Sequence, residues 1–99
     1  MGEGDRVLGN TILANFLRLC LEAPEKPHAV FCYNGGVKLL TGDSLVVSHL
    51  QELARAGVPV EACRTCVDHF GIREQMQVGE LSTMAKFMEY VQEYEVVIL

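Results

Sequence analysis

Two of the four cysteines, Cys63 and Cys66, are separated by only two residues, in the run Cys63-Arg64-Thr65-Cys66. A C-x-x-C spacing supports thiol chemistry. The first thiolate can attack a sulfane sulfur, hold a persulfide or exchange with a disulfide, and the second can assist or resolve. The pattern places Cys63 at the end of a strand and Cys66 at the opening of the helix that follows. Unpaired backbone N–H groups at a helix start favour thiolate, so the thiol pKa is expected to fall there. Arg64 would reinforce that shift, and Glu61 and Asp68 would oppose it. Two other readings stand beside this one. The pair could be two ordinary packed thiols. Alternatively, Cys63, Cys66 and His69 form a C-x₂-C-x₂-H run with the look of metal ligands, but no fourth ligand is evident and no metal is expected. A thioredoxin-like site is disfavoured, because no Trp precedes the first cysteine. Cys20 and Cys32 fall in apolar patterns and read as small buried hydrophobes.

The elements that must position this pair follow from periodicity and punctuation. Asp5 can cap a helix from Arg6 to about Glu22, whose Leu8, Ile12, Leu13, Phe16, Leu17, Cys20 and Leu21 recur at helical steps. Pro24 and Pro27 break it. Residues 28–33 form an apolar strand ending in Asn34-Gly35-Gly36. Ser44 is expected to cap a helix to Ala56, with Gly57 just past its end. Residues 58–63 form the next strand, and a short helix runs from about Thr65 to Phe70. Residues 72–79 are ambiguous. Ser82 or Thr83 caps a last helix, with Met84, Phe87 and Met88 as packing residues, and 96–99 is a final strand. Apolar strands alternating with helices indicate an α/β fold of three layers, α/β/α, with a mainly parallel sheet.

In such sheets the working crevice lies outside the carboxyl ends of the strands. Cys63 and Cys66 fall there. Asn34, Gly35 and Gly36 would line it, with backbone N–H groups facing an anion or persulfide, or would simply make the turn. Arg64 and Glu80 are further candidates for the lining. Ser82 is a candidate too, although a capping role suits it better. His69, one helical turn from Cys66, is either a thiolate partner or a solvated side chain. His28 and His49 show no partner in sequence.

Composition bounds the function. The 99 residues suffice for one domain, 1–99. A net charge of −5, from 8 Lys+Arg against 13 Asp+Glu, lacks the basic footprint for nucleic acid or an anionic membrane surface. Hydrophobic residues at 49% are ample for a core. No apolar run approaches the roughly 20 residues of a membrane span, and the first residues lack a signal-peptide layout. A soluble, cytoplasmic domain is expected.

Taken together, Asn34-Gly35-Gly36-Val37-Lys38-Leu39, Gly57-Val58, the run from Cys63-Arg64-Thr65-Cys66 to Gly71-Ile72, and Val78-Gly79-Glu80-Leu81-Ser82-Thr83-Met84 resemble the C-terminal DsrE-like domain of YedF proteins. These are sulfurtransferase-like proteins of selenium metabolism. The resemblance covers nearly the whole chain. The wider DsrE/DsrF-like superfamily implies a three-layer α/β fold, homo-oligomers, and sulfur relayed as a cysteine persulfide without a cofactor. It implies Cys63 as the sulfur or selenium carrier and Cys66 as its partner, with a TusA-like carrier protein as a possible partner. The alternative is a non-catalytic interaction or regulatory subunit on the same fold. In the family a first strand precedes the segment equivalent to Gly2-Glu3-Gly4-Asp5. The sheet is therefore expected to lack that strand, with three legible strands and a gap filled by another chain, by residues around Gln77 to Gly79, or left open.

Overall fold

The computed structural model describes residues 6–93 and 95–99. The expected cap Asp5 lies outside the described residues. The elements run α1 (Arg6–Glu22), β1 (Ala29–Cys32), a 3-10 segment (Asn34–Leu40), α2 (Val47–Arg55), β2 (Val60–Cys63), α3 (Arg64–Phe70), a 3-10 turn (Arg73–Gln75), β3 (Glu80–Ser82), α4 (Met84–Glu93) and β4 (Val96–Ile98). The four strands form one sheet in the order β3-β2-β1-β4, and all three pairings are parallel. This is the α/β sheet that the strand–helix alternation predicts.

Side chains alternate across a strand, and here the two sets meet different layers. Val30 and Cys32 of β1 and Val60 and Ala62 of β2 join Leu13 and Leu17 of α1, Leu50 and Leu53 of α2 and Val67 of α3 in the main core. The intervening residues face α4. Phe31 packs on Phe87 with ring centroids 4.4 Å apart, and Glu61 pairs with Lys86 at 2.8 Å. All four residues of β1 and of β2 are buried, as expected of strands covered on both faces.

Three expectations change. The sheet has a fourth strand, β3, just after the region 72–79 that the sequence leaves ambiguous. Gln77 instead bonds its N–H to the Leu40 carbonyl at 2.7 Å, and pairing with β2 begins only at Glu80. α2 starts at Val47 rather than at Ser44. Ser44 belongs to the preceding turn: its N–H bonds the Thr41 carbonyl at 3.1 Å, and its Oγ accepts the Val46 N–H at 3.1 Å. The far end of α2 is as predicted: Gly57, at φ 94, lets its own N–H reach Ala54 and the Val58 N–H reach Leu53, which satisfies the last carbonyls. Finally, α4 packs through Phe87 and Tyr90, while Met84 and Met88 are 48% and 56% exposed. With Val91 they make an outward apolar stripe, and Leu8, Ile12, Phe16 and Leu19 are exposed on α1.

Candidate functional site

β2 ends at Cys63, which is the N-cap residue of α3 and only 5% exposed. Cys66 lies one turn into α3 and is half-buried. Both are free thiols. β1 ends at Cys32, after which Tyr33 is extended and Asn34 turns the chain with φ 52. That left-handed conformation is one Asn tolerates better than most side chains. It aims the Asn34 N–H at Cys66 Sγ, 3.0 Å away. The turn after one strand is thereby tied to the helix after the next, which brings Asn34 and Cys66 together.

The electrostatics differ from the sequence-based expectation. The Cys66 pKa is raised, not lowered. Burial is the largest cause, the neighbouring Cys63 thiol adds to the rise, and the Asn34 N–H opposes it. Desolvation thus outweighs the donors at the start of α3. A raised pKa keeps Cys66 as the thiol at neutral pH. The remaining cysteines are packing residues: burial pushes the Cys32 thiol up to about 12 and also raises that of Cys20.

The other candidates divide. Gly36 belongs to the site's scaffold: its N–H bonds the Tyr33 carbonyl at 2.9 Å, and a Cβ there would run into the Leu99 carbonyl. Gly35 is exposed and stands in open space. Arg64 is exposed at the start of α3 and forms no ion pair among the described residues. Glu80 is not brought to the crevice. It opens β3 opposite Glu61, and the parallel register sets Ser82, two residues further on, opposite Cys63. Glu80 instead borders an open cavity of about 410 Å³ lined also by Ala54, Gly57, Val58, Pro59, Val60 and Gly79. His69 is exposed and edge-on to Phe70. Among the described residues no three His, Cys, Asp or Glu gather as metal ligands, so Cys63, Cys66 and His69 do not converge. Asp68 is held on the surface by Arg73 at 2.8 Å.

Two residues carry more than the sequence suggested. Glu61 is 2% exposed and is held by Lys86 at 2.8 Å; hydrogen bonding to Glu61 in turn raises the Lys86 pKa. The signal for it was an acidic residue inside an otherwise apolar strand. Ser82 is not the helix cap. That role falls to Thr83, whose Oγ1 accepts the Lys86 N–H at 3.2 Å. Ser82 is buried at the end of β3.

No helix among the described residues is long and apolar enough to cross a membrane. No curated protein and no solved structure matches the chain. The DsrE/DsrF-like family model matches residues 10–99. With its parallel sheet and its cysteine pair at the carboxyl end of β2, the chain belongs to the DsrE/DsrF-like family, a family associated with sulfur relay.

Proposed function

We propose that this protein relays sulfane sulfur as a persulfide on Cys63, with Cys66 as the assisting thiol, in the manner of the YedF branch of its family. The observation that carries this reading is the placement of the two thiols at the carboxyl end of β2, Cys63 as the residue that opens α3 and Cys66 one turn on, anchored by the Asn34 N–H at 3.0 Å. In the loading step the Cys63 thiolate attacks the outer sulfur of a donor persulfide, R–S–SH. A new S–S bond forms to Cys63 Sγ and the donor S–S bond breaks. R–S⁻ leaves and takes up a proton, so no net electrons are transferred. An acceptor thiolate, such as that of a TusA-like carrier, then attacks the outer sulfur and regenerates Cys63. Selenium is a cargo of the same chemistry.

Cys66 has a role distinct from attack. A thiol is a far weaker nucleophile than a thiolate. Held protonated, Cys66 can donate its S–H to the sulfur of Cys63 without expelling the cargo. The test is to incubate the protein with a persulfide donor and weigh it intact. Wild type is expected to gain sulfur and Cys63→Ser to gain none; equal gain by both would overturn the assignment.

One observation favours a second reading, a non-catalytic oligomeric subunit: the apolar stripes exposed on α1 and α4, which suit self-association. Sedimentation gives the oligomeric state, and the absence of sulfur uptake at Cys63 in an oligomer would favour this alternative.

A further inference from the structure

Ser82 ends β3 in register with Cys63. Register partners on adjacent strands project to the same face, so Ser82 and Cys63 share the α4 side of the sheet with Phe31 and Glu61. Ser82 is 4% exposed, and its Oγ has no hydrogen-bond partner among the described residues. A helix cap would have explained a hydroxyl here, but Thr83 supplies it. A buried hydroxyl without a partner is unfavourable relative to a methyl group. The buried Glu61 on the same face does not take the hydroxyl: neither of its carboxylate oxygens accepts a hydrogen bond from Ser82.

We propose that the Ser82 hydroxyl is the hydrogen-bond donor for the outer, negatively charged sulfur of the Cys63 persulfide. The inference rests on the sulfur-relay reading above and extends it to a second strand. Ser82 Oγ makes no hydrogen bond to Cys63 Sγ in the resting protein. An S–S bond of about 2 Å carries the charged atom beyond Sγ, on the face of the sheet where Ser82 Oγ lies without a partner. Two donors then share the bound sulfur's charge: the Cys66 S–H at the inner sulfur and the Ser82 O–H at the outer one. On the same face Glu61 would repel that charge, which makes a donor there more valuable.

The test loads wild type, Ser82→Ala and Ser82→Thr with glutathione persulfide, at fixed ratios to glutathione, and measures the fraction of Cys63 loaded by mass. In parallel, iodoacetamide alkylation of the resting Cys63 is timed, with unreactive Cys32 reporting an intact core. Ser82→Ala is expected to lose about tenfold in loading equilibrium, Ser82→Thr to restore it, and resting alkylation to stay the same in all three. If wild type loads and Ser82→Ala loads equally, the Ser82 proposal fails and the relay reading stands. If wild type takes no sulfur at Cys63, the relay reading fails and the proposal fails with it. Loss of loading matched by an equal change in resting alkylation would make Ser82 a structural residue only and overturn the proposal.

Discussion

Gly35 and Gly36 are neighbours in the 3-10 segment after β1, yet alanine at the two positions should act in opposite directions. A Cβ on Gly36 would collide with the backbone carbonyl of Leu99, whereas one on Gly35 meets nothing within 4 Å. Leu99 is not free to yield, because its N–H bonds the Phe31 carbonyl at 2.9 Å and the strand before it is paired to β1. In Gly36→Ala either the end of β4 or the Asn34 turn must shift. Overpacking of this kind costs about 1–3 kcal/mol, and losing the Leu99 bond adds about 0.5–1.5 kcal/mol. The sum, about 1.5–4.5 kcal/mol, lowers Tm by about 6 °C or more in a domain of this size. Gly35 lies outside the left-handed region, so Gly35→Ala stiffens the unfolded chain and gains about 0.4–1 kcal/mol. Urea unfolding of the three proteins measures both effects. Alkylation of Cys66 adds a local readout, expected to quicken only in Gly36→Ala as the Asn34 turn moves off the sulfur. Equal stability of the two variants would refute the packing argument.

Further outcomes follow from the same geometry. Raising the pH through the elevated Cys66 pKa should start hydrosulfide release from the loaded protein. The Cys66 thiolate then attacks Cys63 Sγ and forms the Cys63–Cys66 disulfide, while the bond to the outer sulfur breaks and that sulfur takes up a proton from water to leave as HS⁻; Cys66→Ser should abolish the release, as a sulfide assay can show. Burial holds the Cys32 thiol at about 12 against an ordinary 9.0. Between those values the unfolded chain ionises first, so stability falls as pH rises. Cys32→Val should flatten that alkaline limb in urea titrations. Lys86→Met leaves the buried Glu61 without its cation. The variant should lose stability by denaturant midpoint, and unchanged stability would show that the pair contributes nothing. Thr83→Ala should cost about 1 kcal/mol through loss of the α4 cap.

The architecture was legible where patterning is strong. α1, β1, β2 and β4 are predicted within two residues, because long apolar periodicity and Pro or Gly punctuation bound them. β3 was not, since three residues with an exposed start carry almost no alternation. At the site, the C-x-x-C spacing and the Asn34 turn were readable, but their joining was not. The Asn34 N–H to Cys66 bond spans 32 positions and exists only once β1 and β2 lie side by side. The direction of the Cys66 shift was missed for the same reason: burial is a tertiary quantity, and local helix geometry alone points the other way. Glu80 and Ser82 exchanged places because their roles depend on the register of β3 on β2, which sets Ser82 beside Cys63. The Met84 and Met88 stripe faces outward because aromatic Phe87 and Tyr90 take the sheet side of α4.

The most direct test of the account is to find which sulfur carries the cargo. Arg64 lies between the two cysteines, so trypsin separates Cys63 from Cys66. The protein is loaded with a persulfide donor, trapped with an alkylating agent, digested and mapped by mass spectrometry. The extra sulfur is expected on the Cys63 peptide. Its appearance on the Cys66 peptide or on none, with the donor consumed elsewhere, would contradict that assignment.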